Sequence, residues 1–74
     1  MNFLVIGSGA REHIIAKKLS ESGVNVFSIL TNRNPGLMSL SREFIFVSNY
    51  LNNLDKIVDF ALMKDVRCVV IGPE

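Results

Sequence analysis

The chain begins with a short apolar run that gives way to glycine and then to polar residues: Phe3-Leu4-Val5-Ile6-Gly7-Ser8-Gly9-Ala10-Arg11-Glu12-His13. An unbroken apolar run of this length is typical of a strand that is covered on both faces. Beyond it, apolar side chains recur at helical spacing: Ile14, Ile15, Ala16 and Leu19. Gly23 is suited to end that helix. The stretch therefore predicts a strand at residues 3–6, a glycine turn, and a helix at residues 11–22.

The middle of the chain repeats this alternation. Residues 24–30 are β-branched and apolar and predict a second strand, after which Pro35 and Gly36 predict a turn because neither continues a regular element. Residues 37–41 form at most one helical turn, and residues 43–47 predict a third strand.

The last third contains a helix and a strand. Residues 53–64 predict a helix that is capped by Asn52 or Asn53 and has its apolar side chains on one face: Leu51, Leu54, Ile57, Val58, Ala61 and Leu62. Residues 68–71 predict a fourth strand. The single cysteine, Cys68, falls in this strand, and we expect it to be a buried strand residue without a chemical role.

Alternating strands and helices predict an α/β fold, a Rossmann-like parallel sheet of four strands in the order 3-2-1-4 with flanking helices. In that order the first and fourth strands are neighbours where the winding reverses, and ligands bind outside the carboxyl ends of strands at such a point. Residues 7–13 and 72–74 are therefore expected to meet there.

Composition limits the size and the partners of the chain. Its 74 residues allow one small domain, and an apolar content of 49% favours an incomplete fragment of a larger protein, or pairing with a second copy that covers apolar faces. Eight basic and seven acidic residues are scattered, so a nucleic acid partner is not expected. No apolar stretch is long enough to cross a bilayer and no secretory signal is present, which predicts a cytoplasmic protein without a membrane partner.

The glycine turn is the candidate ligand site. A turn between a strand and a helix leaves backbone N–H groups without helical partners beside the positive end of the helix dipole, and it attracts phosphate. Gly7 permits an unusual backbone conformation, Gly9 lets an anion approach the main chain, and Arg11 adds charged donors. The alternative is that the glycines serve turn geometry alone.

This turn departs from the dinucleotide-binding pattern G-x-G-x-x-G, because Glu12 stands where the third glycine is required. Residues 26–34 also contain no acid to hold ribose hydroxyls, so NAD is disfavoured, whereas Arg33 leaves NADP as an alternative. A small NADP- or nucleotide-binding regulatory module is accordingly the second hypothesis. A structural or dimerisation module without a ligand is the third.

Three residues with titratable side chains fall in or near the predicted site. Glu12 lies in the first helical turn, where a carboxylate either stabilises the helix or holds ligand hydroxyls. His13 is the only histidine and lacks neighbours that would complete a metal site, so it is expected to support the loop. Glu74 follows the fourth strand, from which a carboxylate could reach a ligand amine or hydroxyl. No residue is assigned a catalytic or metal-binding role.

Three motifs, in order along the chain, resemble those of the phosphoribosylamine-glycine ligase family, also called glycinamide ribonucleotide synthetases: residues 5–13, Asn34-Pro35-Gly36, and Val70-Ile71-Gly72-Pro73-Glu74. The first differs from the family's usual form in having Ala10 in place of a glycine. The second is usually written with the proline first. The third is shorter and is similar to motifs in related ATP-grasp enzymes.

The resemblance implies the amino-terminal, pre-ATP-grasp domain of a much longer enzyme of purine biosynthesis. In that family ATP activates glycine as an acyl phosphate, which the amine of 5-phosphoribosylamine attacks to give glycinamide ribonucleotide, ADP and phosphate. ATP and magnesium would bind outside this chain, which alone is expected to be inactive and to hold no cofactor. Gly7, Gly9, Ala10 and Arg11 would approach the phosphate or ribose of phosphoribosylamine or of the product. Glu12 and Glu74 would contact the ribose or the amine. The residues expected to support the loops are His13, Gly72 and Pro73.

Overall fold

The computed structural model describes residues 1–72. Strands and helices alternate along them: β1 (Asn2–Ile6), α1 (Ala10–Glu21), β2 (Asn25–Leu30), α2 (Pro35–Leu40), β3 (Glu43–Phe46), α3 (Leu54–Met63) and β4 (Cys68–Ile71). A 3-10 turn, Leu51–Asn53, leads into α3.

The four strands form one parallel sheet in the order β3-β2-β1-β4, which confirms the predicted fold class and strand order. The central strand β1 pairs Leu4 with Phe27 of β2 on one side and with Val69 of β4 on the other. Because all strands run in one direction, the segments after β1, β2 and β4 leave the sheet at the same edge.

Each face of the sheet carries its own apolar core. On one face α3 covers the sheet: Phe60 lies edge-on to Phe27 at 6.2 Å between ring centroids, above buried Leu4 and Ile29. On the opposite face α1 and α2 bury Ala16 and Leu37 against the sheet. Two-sided cover explains why β1 and β2 read as continuous apolar runs.

Helix α2 is longer than predicted and begins at Pro35, not after Gly36. Proline is well suited to the first helical position, because its missing N–H would have no helical partner there. The Asn34 side chain caps this helix by accepting from the Leu37 N–H at 3.1 Å. The proline and glycine that predicted only a turn therefore form the first turn of a helix.

Asn53 is the N-cap residue of α3, as predicted, but its side chain makes no capping hydrogen bond. Asn49 accepts from the Asn52 N–H at 2.8 Å and so caps the preceding 3-10 turn. Asn53 points its amide back to Asn49 O at 2.6 Å and makes no side-chain cap. The side-chain cap in this region therefore lies at Asn49, before the 3-10 turn.

Two predictions of burial are wrong, one in β4 and one in α1. Cys68 is exposed, since β4 is an edge strand that pairs only with β1 among the described residues. Ile14 is 62% exposed. It lies two residues, and thus about 200° around the helix, from buried Ala16.

The predicted apolar face of α3 is divided in two. Phe60 is buried, and Ile57 and Ala61 pack against the core, whereas Leu54, Val58 and Leu62 are exposed. The apolar arc of this helix is wider than its contact with the sheet.

Candidate functional site

The glycine turn joins β1 to α1 at the carboxyl edge of the sheet. Gly7 has a φ of 140°, a conformation that side chains rarely permit, and its N–H donates to Ile29 O of β2 at 3.1 Å. Gly9 is the N-cap of α1 in an extended conformation. Gly9, Ala10 and Arg11 are exposed, so the first turn of α1 is open to solvent where its N–H groups lack helical acceptors.

Glu12 lies beneath this exposed turn. Its side chain is 2% exposed, and its Oε1 accepts from the Gly9 N–H at 3.0 Å. It also lies directly against Gly7 and against Gly72 after β4, where any Cβ would meet its carboxyl group. Gly72 in turn donates to Ile6 O at 2.8 Å. One buried carboxylate thus contacts the loop after β1 and Gly72, the described residue of the second segment that was predicted to meet it.

Two polar residues to which the sequence interpretation gave no role connect the glycine turn to the segment after β2. Asn34 donates to Ser8 O at 2.9 Å while its Oδ1 caps α2. The Ser8 hydroxyl accepts from the N–H groups of Thr31 at 2.9 Å and Asn32 at 3.2 Å. A signal for Asn34 existed, because asparagine before proline is suited to cap a helix. The Ser8 contacts depend on residues more than twenty positions away and have no local signal.

His13 lies on the opposite flank of the turn, partly buried beneath α2. Its ring occupies the space into which a side chain at Gly36 would project. The second glycine-containing motif therefore contacts the first through His13 as well as through Asn34. Because the His13 ring of α1 packs against Gly36 of α2, it helps to set the position of α2 relative to α1.

The structure thus brings together most of the residues predicted for the site: Gly7, Gly9, Ala10, Arg11, Glu12, His13 and Gly72. The predictions for Pro73 and Glu74 lie outside the described residues. Across residues 1–72 no group of three or more His, Cys, Asp or Glu side chains is placed to hold a metal ion. In the same part of the chain, no helix is sufficiently long and apolar to cross a membrane.

Comparison with known proteins places these motifs in one family. The family model described as phosphoribosylglycinamide synthetase, N domain, matches residues 1–74. Proteins named phosphoribosylamine--glycine ligase are similar over the whole chain, with 41% identity in Methanococcus vannielii, 39% in Methanosphaera stadtmanae and 35% in Pyrococcus abyssi. The chain spans 16% of the length of each of these relatives. This chain belongs to the phosphoribosylglycinamide synthetase N-domain family.

Proposed function

We propose that this chain is the phosphate-facing part of a phosphoribosylamine-glycine ligase of purine biosynthesis. The enzyme would join glycine to 5-phosphoribosylamine, consuming ATP and releasing glycinamide ribonucleotide, ADP and phosphate. The observation that carries the proposal is the family match across all 74 residues, in which the glycine turn at the start of α1 is the most specific motif. Since the chain spans 16% of its relatives, the activity belongs to the longer protein.

The chain's own contribution is to bind and orient a phosphorylated substrate. The Gly9 N–H is already engaged by Glu12, so the backbone donors offered to a phosphate are those of Ala10 and Arg11 in the first turn of α1. The exposed Arg11 guanidinium adds a charge-assisted bond, a kind of interaction that contributes about 1.5–3 kcal/mol. Because Gly7 and Gly72 have no side chains, the Glu12 side chain has space to lie below this surface.

ATP and magnesium would bind outside this chain, as the family resemblance implies. In the complete enzyme ATP would supply the phosphoryl group that activates the glycine carboxylate. Residues 1–72 would take no part in that step beyond holding the amine-bearing substrate. We place this enzyme in the cytoplasm.

The Arg11→Ala variant of the full-length protein tests the proposal. Loss of a charge-assisted bond is expected to raise the KM for phosphoribosylamine about 10- to 100-fold, while the KM values for ATP and glycine change less than about twofold. Steady-state ADP formation measures all three constants. Arg67→Ala is the matched control, because Arg67 is also exposed but precedes β4 at the opposite edge of the sheet.

Wild-type protein that forms no ADP in the presence of glycine and phosphoribosylamine would refute the ligase assignment. Titration with NADP covers the alternative of a nucleotide-binding regulatory module. Micromolar affinity for NADP, with no dependence of ADP formation on Arg11, would favour that alternative.

We also propose that the remainder of the ligase covers an apolar surface beside β4. Leu54, Val58 and Leu62 line one flank of α3, whereas Met63 on the other flank lines a groove against β3. Val69 and Ile71 pair in register with Leu4 and Ile6, whose side chains belong to the α3 side of the sheet. The exposed side chains therefore form one apolar surface on the α3 side of β4: Leu54, Val58, Leu62, Val69 and Ile71.

The Leu62→Asp variant, compared with Met63→Asp, tests this covered surface. The two side chains are neighbours and are similarly exposed in this chain, at 74% and 76%, but they lie on opposite flanks of α3. If the remaining protein covers the β4 side, a buried carboxylate without a partner at position 62 costs several kcal/mol, whereas the change at 63 costs less than about 0.5 kcal/mol. Thermal unfolding of the full-length variants measures the difference. Equal stability of the two variants would contradict the proposal. If a second copy of the chain covers this surface instead, the unfolding temperature would depend on protein concentration.

A further inference from the structure

Glu12 is unusual among the charged residues of the described part of the chain, residues 1–72, because it is almost completely buried. It is 2% exposed, whereas its neighbour Arg11 is exposed. Burial of a carboxylate is unfavourable unless hydrogen bonds or charges compensate it. Here the compensation includes the Gly9 N–H at 3.0 Å and the positive end of α1, in whose first turn Glu12 lies.

The position of this carboxylate depends on three glycines. A Cβ at Gly7 would lie 2.5 Å from Glu12 Oε1, and one at Gly9 would lie 3.2 Å from the same atom. A Cβ at Gly72 would overlap the Glu12 side chain as well. The carboxyl group therefore fills the space between the loop after β1 and Gly72 and packs against both.

This arrangement determines which backbone donors at the start of α1 remain for a phosphate. An internal carboxylate already accepts from the N-cap N–H and offsets part of the helix dipole, so a phosphate is directed outward to the donors of Ala10 and Arg11. We propose that Glu12 is a positioning residue: it does not touch the substrate, and it sets the phosphate-binding surface by holding Gly9 and Gly72. This inference rests on the proposed function for the identity of the substrate.

Two variants of the full-length protein separate positioning from substrate contact. Glu12→Gln keeps the volume and an oxygen that can accept from Gly9, so the KM for phosphoribosylamine is expected to stay within about threefold of wild type. Glu12→Ala releases Gly9, and a displaced binding loop is expected to raise that KM about 10- to 100-fold. The KM values for ATP and glycine should be unchanged in both variants. Where Glu12→Ala does not fold, Glu12→Asp replaces it, because the shorter side chain withdraws the carboxylate from Gly9.

Acetate provides a second test, since it carries the atoms that Glu12→Ala removes. Sodium acetate is expected to restore a low KM in Glu12→Ala and to leave wild type unchanged, with sodium chloride at equal ionic strength as the control. A role confined to overall stability would not respond to acetate in this way. Hydrogen exchange of the peptide that contains Gly9 gives a readout without substrate: exchange should be slow in wild type and Glu12→Gln and faster in Glu12→Ala.

The outcomes are distinct. A rise of more than tenfold in the KM of Glu12→Gln, with slow exchange retained at Gly9, would show that the substrate needs the carboxylate charge and would overturn the proposal. Unchanged exchange and unchanged KM in Glu12→Ala would overturn it equally. If wild-type protein has no ligase activity, the proposed function fails, while the exchange experiment still decides whether Glu12 holds the loop.

Discussion

Replacement of Gly7 by alanine is expected to destabilise the protein by about 4 kcal/mol, through backbone strain of about 1–3 kcal/mol and overpacking of similar size. The strain arises because φ at this residue is 140°, a conformation almost restricted to glycine. The overpacking arises because the new Cβ would lie 2.5 Å from the buried Oε1 of Glu12. Because Glu12 is only 2% exposed, its carboxyl group cannot yield to the new Cβ without displacing the atoms packed around it.

Gly23→Ala is the matched control for this substitution. Gly23 also has a positive φ, 84°, but a Cβ there would meet nothing within 4 Å. Only the cost of a positive φ for alanine applies, so the free energy of unfolding is expected to fall by about 1–2 kcal/mol. The midpoint of urea unfolding, at an unchanged dependence on urea, measures both variants. Equal losses for the two variants would show that Glu12 does not limit the space at Gly7.

The fold could be predicted because its determinants are local. Continuous apolar runs identify β1 and β2, helical spacing identifies α1 and α3, and the right-handedness of parallel crossovers restricts the strand order. The loop glycines at 7 and 9 could be selected for the same reason, since they stand between a strand and a helix. The observed order β3-β2-β1-β4 confirms this part.

What could not be predicted depends on contacts between distant residues. Helical spacing identified α3 but not which part of its wide apolar arc faces the sheet, and buried Phe60 was absent from the predicted face. Cys68 was expected to be buried because it falls in an apolar run, yet β4 lies at one edge of the described sheet and Cys68 is exposed.

The candidate site shows the same limit more sharply. Gly72 was interpreted as the residue that stops the fourth strand and supports the loop, but its contact with Glu12 joins positions sixty residues apart. Likewise, the structural alternative for Glu12 rested on the helix dipole alone, and the burial of its carboxylate between two loops had no local signal. Spacing along a sequence locates a turn, whereas the packing beneath the turn is a tertiary property.

The Gly72→Ala variant, measured alone and in a Glu12→Ala background, isolates that tertiary contact. Gly72 does not have a positive φ, so alanine adds no backbone strain there. Alone it forces a methyl group into the buried Glu12 side chain, and the expected loss is about 2–3 kcal/mol. In the Glu12→Ala background the methyl group enters the space that the carboxylate has left, so the same substitution should cost less than about 0.5 kcal/mol.

The difference between the two backgrounds predicts a coupling energy of about 2 kcal/mol, within the range for residues in direct contact. Urea unfolding of the wild type, the two single variants and the double variant measures it. An additive cycle would mean that Glu12 and Gly72 do not compete for the same space, and the carboxylate would then be free to turn toward the ligand. A strong coupling would mean that Gly72 cannot shift without moving Glu12. Since Glu12 accepts from Gly9, a ligand that moves Gly72 would then also move the start of α1.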